Sequence, residues 1–270
     1  MRRSVLTAVS CMAFALGTAG SAAGDGGPSP GIDLGSRGVV GPGGQLRYVA
    51  VPARNGTTVE AIRIHDGRIH RWSILRGLYG VPFVTQDGQT GGLSHDGKTL
   101  VLATYAGFPG RAGVTRFAVL NTTTLHPRLI VTLRGSFSYD ALSPDASTLY
   151  AIQYTSAQNA NRYRVRAYDL KKRQLLPGAI VDKTEPSEVM AGYPVTRVAT
   201  GDGAWVYTLY ARPNGRSFIH ALDTVERRAV CLDLRLRAIT SVRLALSPDR
   251  KQILLLQRDG VRLGAVRVPA

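Results

Sequence analysis

Charged side chains within otherwise apolar stretches are the first candidates for chemistry in this chain. Asp140 and Arg197 each lie five residues before a turn aspartate, and Arg243 occupies nearly the same position later in the chain. A buried charge is unfavourable unless it is paired or in contact with water. We therefore expect Asp140 and Arg197 to face a solvated channel as a ligand site, and the alternative is an ion pair between neighbouring sheets that binds no ligand.

A second set of candidates combines tyrosine with arginine. Three tyrosines end predicted strands and lead into polar loops with arginine, and the members of this set are Tyr105, Tyr154, Tyr210, Arg111 and Arg212. Tyrosine and arginine are enriched at binding hot spots. Because aromatic residues at strand ends are also common in packed sheets, the pattern favours either a face for polar or anionic groups or ordinary core.

Basic residues are concentrated in the middle of the chain. They alternate along one predicted strand or follow directly after it, and they are Arg162, Arg164, Arg166, Lys171, Lys172 and Arg173. The formal net charge of +16 has the same sign. Such a stripe would match an acidic cell-envelope polymer, phospholipid headgroups or nucleic acid, and a solvated face without a partner is the alternative.

The usual catalytic signatures are absent from the sequence. It has no Gly-x-Ser-x-Gly, no His-Glu-x-x-His, no phosphate-binding glycine loop with lysine, no cysteine pair for zinc and no dinucleotide fingerprint. Ser94, His95 and Asp96 are consecutive, but neighbours on a tight turn do not converge as a catalytic triad does. The sequence thus predicts no catalytic residue, no cofactor and no metal site.

The N-terminus has the features of an export signal. Arg2 and Arg3 precede the apolar stretch 5–19, and small residues up to Ala23 follow, which predicts cleavage near Ala23. Residues 24–31 are rich in glycine and proline and predict a flexible linker. Removing residues 1–23 removes two arginines and no acid, so the formal charge falls from +16 to +14. We expect a secreted protein with no later transmembrane segment, and export argues against nucleic acid as its partner.

The elements that must position these residues come from an internal repeat. Each copy has an apolar strand, a turn with Gly or Asp, and a second apolar strand. The equivalent turn residues are Gly43, Asp96, Asp145, Asp202 and Asp249, which lie 47 to 57 residues apart. Two further alternating segments complete most copies, and Gly, Asp and Asn separate the strands. Four strands in about 50 residues predict one blade of a β-propeller.

The repeat resembles the YVTN and WD-like propeller families. Ala141-Leu142-Ser143-Pro144-Asp145, followed by the strand Leu149-Tyr150-Ala151, carries the likeness, and later strands end in Asp or Asn. The resemblance covers about residues 37–268 and implies an all-β propeller with five four-stranded blades. Since the last copy lacks its fourth strand, we expect Ile32-Asp33-Leu34 to complete it and close the ring, and the alternative is a three-stranded last blade beside a frayed N-terminus. Residues 32–270 would then form one domain.

These observations favour a binding function. We expect a secreted, non-catalytic binding or scaffold module for a protein or an anionic cell-envelope polymer. The alternative is a hydrolase of the propeller-lactonase type acting on a small lactone or ester. This alternative depends on the resemblance alone, because fold does not determine function. The sequence leaves the enzyme question and the oligomeric state open.

Overall fold

The computed structural model describes residues 31–105, 113–156, 162–184, 190–212, 215–236, 239 and 241–269. The predicted signal peptide, residues 24–30 of the predicted linker and Arg111 lie outside these ranges. Within them, no helix has both the length and the apolar character needed to cross a membrane.

β-strands are nearly the only regular secondary structure in the described chain. In chain order they are β1 (Ile32–Asp33), β2 (Val39–Val40), β3 (Leu46–Ala53), β4 (Gly56–Arg63), β5 (Ile69–Leu75), β6 (Val81–Pro82), β7 (Thr99–Ala103), β8 (Val114–Asn121), β9 (Pro127–Arg134), β10 (Phe137–Leu142), β11 (Thr148–Tyr154), β12 (Tyr163–Asp169), β13 (Gln174–Leu175), β14 (Tyr193–Ala199), β15 (Trp205–Ala211), β16 (Ser217–Asp223), β17 (Arg228–Leu234), β18 (Arg243–Leu246), β19 (Gln252–Leu256) and β20 (Arg262–Arg267). One short 3-10 turn spans Pro42–Gly44.

Besides the two-stranded sheet of β1 and β6, the described residues form five antiparallel sheets of three or four strands, which follow one another along the chain and which we call blades 1 to 5. Blade 1 contains β2–β5, blade 2 β7–β9, blade 3 β10–β13, blade 4 β14–β17 and blade 5 β18–β20. Blades 1, 3 and 4 therefore have four strands, whereas blades 2 and 5 have three in the described residues. In blade 2 an isolated bridge from Leu93 to Leu100 occupies the place of the innermost strand. The described residues of blades 2 and 5 therefore differ from the prediction of four regular strands in every blade.

The turn between the first two strands has the same hydrogen bonds in blades 2 to 5. A serine or threonine hydroxyl donates to the aspartate two residues later and accepts the amide hydrogen five residues later. The pairs are Ser94–Asp96, Ser143–Asp145, Thr200–Asp202 and Ser247–Asp249. We call the side of the molecule that carries these turns the turn end, and the other side the opposite end.

Apolar clusters join each blade to the next. Four clusters of buried side chains connect blades 1 and 2, 2 and 3, 3 and 4, and 4 and 5. Phe117 lies in the second of them and Tyr207 in the fourth, and both are fully buried. None of these four clusters, which comprise described residues only, contains side chains from both blade 5 and blade 1. The core is therefore a series of layers between consecutive sheets.

The N-terminal strand does not pair with the last blade. β1 pairs antiparallel with β6, so that Ile32 is opposite Pro82 and Asp33 is opposite Val81. The Asp33 carboxylate accepts the amide hydrogens of Ser36, Arg37 and Gly38. This turn directs the chain into β2, because only residues 34–38 separate the two strands. The predicted pairing of Ile32–Leu34 with blade 5 is therefore wrong.

A short connection crosses the centre of the molecule at the opposite end. Residues 85–89, which we call the crossing loop, follow β6 and precede the inner part of blade 2. The amides of Gln86 and Asp87 donate to the carbonyl oxygens of Pro194 and Val195, at 2.9 and 3.2 Å. The crossing loop is thereby attached to the innermost strand of blade 4.

Candidate functional site: two cavities and a basic band

Asp140 differs from most aspartates of this protein in its role. Eleven of the thirteen described aspartates accept a backbone amide hydrogen in a turn or loop, and they are Asp33, Asp66, Asp87, Asp96, Asp145, Asp169, Asp182, Asp202, Asp223, Asp249 and Asp259. Asp140 and Asp233 instead pair with arginine side chains. Asp140 is therefore an exception within a set of structural carboxylates.

The structure pairs Asp140 with Arg197 across the boundary between blades 3 and 4. Arg197 Nη2 lies 2.6 Å from Asp140 Oδ1 and 3.0 Å from Thr208 Oγ1, and Nη1 donates to the backbone oxygen of Asp140 at 2.6 Å. The pairing of β10 with β11 shifts register between Tyr139 and Ala141, so Asp140 occupies a β-bulge. Bulges redirect a side chain relative to the regular alternation. Here the bulge provides the carboxylate for the arginine of the next blade.

Arg197 begins a row of polar side chains that crosses blade 4. In the sheet register Arg197 is opposite Thr208, Thr208 is opposite His220, and His220 is opposite Cys231. The ring nitrogen Nδ1 of His220 is 3.9 Å from Cys231 Sγ, and Asp182 accepts the Cys231 amide at 2.8 Å. Residues directly opposite one another on adjacent strands have their side chains on the same face of the sheet. Arg197, Thr208, His220 and Cys231 therefore form a polar row from the innermost strand of blade 4 to its outermost strand.

Several atoms of this region lack a hydrogen-bond partner among the described residues. Asp140 Oδ2, Arg197 Nε and His220 Nε2 are buried and unpartnered, as is the hydroxyl of Tyr163. The pKa of His220 is lowered to about 4, chiefly by burial and also by the charge of Arg197, while Asp140 and Asp182 act in the opposite direction. His220 is consequently a neutral, enclosed side chain at physiological pH.

A cavity of about 430 Å³ opens beside this pair at the turn end. Inner residues of blades 1 to 4 form its walls, and its polar groups include Ser94, His95 and Thr200 besides Asp140 and Arg197. Much of the remaining wall is apolar, with Val84 and Leu142 as examples. Arg197 and Asp140 bond mainly to each other, and their side chains are only 11% and 3% exposed. They stabilise the wall of this cavity and offer few free polar atoms to a ligand.

A second cavity, of about 480 Å³, lies at the opposite end. Asp87 and Gln89 of the crossing loop, Thr196 of β14 and Arg243 of β18 are among its lining residues, together with Arg258 from the loop after β19. Gln89 Nε2 donates to Asp87 Oδ2 and to Thr196 Oγ1, both at 3.0 Å. Arg243 and Arg258 are exposed, and their side chains form no hydrogen bond or ion pair in the part of the chain that the structure describes. This cavity therefore presents two cations that are free to bind.

The tyrosines do not form a common surface. Tyr154 and Tyr210 are buried, whereas Tyr105 is 57% exposed. The Tyr154 hydroxyl is 2.9 Å from Ser138 Oγ, and the ring of Tyr210 stacks on Phe218 with centroids 5.1 Å apart. Burial also raises the pKa of Tyr210 well above its ordinary value. Two of the three tyrosines are therefore core residues, because the blade 3–blade 4 layer extends to the ends of their strands.

Arg212 is also occupied by contacts within the protein. Its Nη1 lies 2.8 Å from Asp233 Oδ1, and its guanidinium carbon lies 4.4 Å from the centroid of the Phe218 ring. The side chain is 16% exposed. Of the predicted Tyr–Arg face, only Tyr105 is an exposed residue in the described part of the chain, and Arg111 lies outside it.

The basic stripe of blade 3 is largely exposed. Arg162 and Arg164 are exposed at alternate positions, Arg162 just before β12 and Arg164 within it, on either side of the buried residue Tyr163. Arg166 is half-buried, and it donates to Gln153 Oε1 at 2.7 Å and to the Leu176 oxygen at 2.9 Å. The turn after β12 adds three exposed cations. The exposed set, which we call the basic band, is Arg162, Arg164, Lys171, Lys172 and Arg173.

Sequence reasoning missed the second cavity. Arg243 was a candidate, but the adjacent Arg258 and the crossing-loop residues Asp87 and Gln89 were not. No local pattern marks them, because they come from blade 5 and from the connection between blades 1 and 2. The row that connects His220 with Arg197 was missed as well, because it depends on the register of three strands.

No group of three or more His, Cys, Asp or Glu side chains in the described ranges is arranged to hold a metal ion. No protein-family model matches the chain, and no curated protein matches it at a significant level. Among solved structures, the chain is similar to the β-propeller domain of Cps50 (Swd1) from Myceliophteria thermophila, with a TM-score of 0.52 and 13% sequence identity over 88% of this chain. The chain spans 66% of that domain, slightly less than two thirds of its length. This likeness shows a β-propeller fold and nothing about activity.

Two further solved structures are similar at lower scores. Hydrazine synthase from Kuenenia stuttgartiensis has a TM-score of 0.46 and 16% identity, covering 86% of this chain and 75% of that one. TolB from Acinetobacter baumannii has a TM-score of 0.44 and 14% identity, covering 77% of this chain and 44% of that one.

Proposed function

We propose that this β-propeller is an exported, non-catalytic module that binds an anionic partner of the cell envelope through the basic band of blade 3. The observation that supports this proposal most directly is the exposure of five cations on one blade, along β12 and in the turn after it. A strand of seven residues extends about 20 Å, so the band offers a linear array rather than a pocket. Such an array suits a polymer or a surface with repeated negative charges.

The roles of the aspartates strengthen this interpretation. Because eleven of the thirteen described aspartates accept backbone amides in turns and loops, few carboxylates are free to neutralise surface arginines. Among the described residues, Lys171 is the one member of the band whose side chain forms an ion pair, with Nζ 4.0 Å from Asp145 Oδ2, and both of these side chains are well exposed. Exposed pairs of this kind contribute little. The positive field of the band therefore reaches the solvent.

The N-terminal pattern supports the exported location. Arg2-Arg3, the apolar stretch and the small residues before Ala23 match a secretory signal. An exported protein meets anionic envelope polymers and lipid headgroups rather than nucleic acid. The pairing of Asp140 with Arg197, whose side chains are only 3% and 11% exposed, fits a structural role in the wall of the turn-end cavity and in this way supports the non-catalytic interpretation.

The test is sedimentation of the purified protein with cell envelope and with a purified anionic polymer at increasing salt. We expect saturable binding at low salt that is lost by about 0.5 M salt, where exposed charges are screened within a few ångströms. The variant R162Q/R164Q/K171Q/K172Q should bind at least about tenfold more weakly, because four contacts of the band are removed.

The matched control removes four exposed cations from other blades and connections. R47Q/R54Q/R76Q/R134Q has the same net charge as the band variant. It should retain most of the binding if the band is the site. Equal losses in both variants would assign binding to net charge alone, and absence of binding at low salt would overturn the proposal.

A further inference from the structure

The second cavity is a candidate site for a small ligand, separate from the basic band that is proposed to bind a polymer. It lies at the opposite end of the molecule, its volume is about 480 Å³, and Arg243 and Arg258 line it from blade 5. Cavities that hold small molecules commonly measure about 300 to 1,000 Å³. The size of this cavity is thus suited to a small molecule rather than to a single water.

The two arginines lie at the same end of one hairpin. Arg243 is the first residue of β18 and is opposite Leu256, and Arg258 follows two residues after Leu256. No carboxylate lies within ion-pair distance of either guanidinium among the described residues. Two adjacent unpaired guanidinium groups repel each other, and an oxyanion between them removes the repulsion and accepts charge-assisted hydrogen bonds.

The facing wall is fixed by hydrogen bonds within the protein. The crossing loop is bound to β14 through the Gln86 and Asp87 amides, and the Gln89 side chain is bound to Thr196. The oxygens of Asp87 accept from the Thr85 hydroxyl at 2.5 Å and from the Gln89 side chain at 3.0 Å. Because these bonds hold the carboxylate in the loop, it does not reach the arginines. One acid and two arginines leave the lining with a net positive charge.

We propose that this cavity binds a small oxyanion, a carboxylate or a phosphate, through the guanidinium groups of Arg243 and Arg258. The site is independent of the proposed function, since the basic band lies on blade 3 and this cavity is formed by blades 4 and 5 and the crossing loop.

The test is isothermal titration of the purified protein with inorganic phosphate and, separately, with citrate. Saturable binding of either anion with a stoichiometry of one is expected for the wild type. R243Q and R258Q should each weaken it about tenfold, and R243Q/R258Q should abolish measurable binding, because each charge-assisted contact is worth about that factor. Stronger binding of citrate would assign the site to carboxylates, and stronger binding of phosphate would assign it to phosphorylated ligands.

Two controls separate this site from charge in general and from the band. R134Q removes an exposed arginine of β9 and should leave anion binding unchanged. R162Q/R164Q/K171Q/K172Q should also leave it unchanged, while weakening binding to the envelope. The circular dichroism and melting temperature of each variant report its folding. The proposal is overturned if neither anion binds the wild type saturably, or if R243Q/R258Q binds them as the wild type does.

Discussion

His220 has the most strongly altered environment of the histidines in the described chain. It is fully enclosed in blade 4, with Cys231 on one side, and its Nε2 has no hydrogen-bond partner among the described residues. Arg197, Asp140 and Asp182 all act on it electrostatically. A histidine in such a position is neutral in the folded state, and its protonation opposes folding. At the scale of single residues, acid sensitivity is therefore concentrated in the polar row of blade 4.

We predict that H220Q reduces the loss of stability on acidification. Burial lowers the pKa of His220 from its ordinary value of 6.5 to about 4 in the folded protein, so the unfolded chain binds a proton first as the pH falls. The stabilisation is complete above pH 6.5 and is lost between pH 6.5 and 4, by about 3 kcal/mol in total. Urea unfolding at pH 7.5 and 4.5 measures this difference for the wild type and H220Q.

The control for this prediction is H70Q, which changes an exposed histidine of β5. H70Q should retain the acid sensitivity of the wild type. If H220Q loses as much stability as the wild type between the two pH values, His220 is not the group responsible. The turn aspartates with lowered pKa values, such as Asp145 and Asp202, contribute to the loss of stability only at a lower pH, below their ordinary pKa of 3.8.

Among the structural elements, the turn between the first two strands recurs in blades 2 to 5 with the same backbone conformation. In each of the copies in blades 2 to 5 the residue after the aspartate has a positive φ, and these residues are Gly97 (69°), Ala146 (52°), Gly203 (73°) and Arg250 (58°). Glycine adopts this conformation without strain, whereas for a residue with a side chain it costs about 1 kcal/mol or more. Two of the four copies therefore contain the residue type that the turn favours, and two do not.

We predict that A146G raises the free energy of unfolding by about 0.5–1 kcal/mol, because relief of the strain outweighs the entropy lost with glycine. Thermal and urea unfolding measure the change. The matched control is A199G at the exposed end of β14, where φ is not positive and glycine should destabilise. An unchanged or lower stability of A146G would show that the turn tolerates alanine at no cost.

The N-terminal strand contributes to the whole molecule at a different place from the one that the sequence predicted. β1 pairs with β6, between blades 1 and 2, and Ile32 packs against the cluster between blades 2 and 3. Blade 5 ends with β20 as an edge strand in the described residues. The segment therefore supports the beginning of the propeller rather than joining its two ends.

We predict that deletion of residues 31–36 lowers the melting temperature and accelerates amide hydrogen exchange in β3 and β7, while leaving exchange in β20 unchanged. The physical reason is that the deletion removes the β1–β6 pairing and the turn of Asp33, which lie next to blades 1 and 2. Hydrogen exchange followed by mass spectrometry resolves these strands. Deletion of residues 24–30 is the control, and faster exchange in β20 would instead support closure of the ring by this segment.

The repeat, the turns and the all-β class can be predicted from the amino-acid sequence, because these features depend on residues close together in the chain. Ser143, Asp145 and Thr148 form their hydrogen bonds within six residues, and alternation along β12 separates Arg164 from Val165 without any tertiary contact. The spacing of Asp140 and Arg197 before their turns also identified them as related positions.

The contacts between distant parts of the chain depend on how the blades pack and could not be predicted. The bond between Arg197 and Asp140 joins residues 57 apart in the chain, and that between Gln89 and Thr196 joins residues 107 apart. The burial of Tyr210, the pairing of β1 with β6 and the meeting of Arg243 with the crossing loop depend in the same way on how the blades pack. No local pattern records these contacts, since the same strand–turn–strand unit is compatible with several orders and closures of a ring.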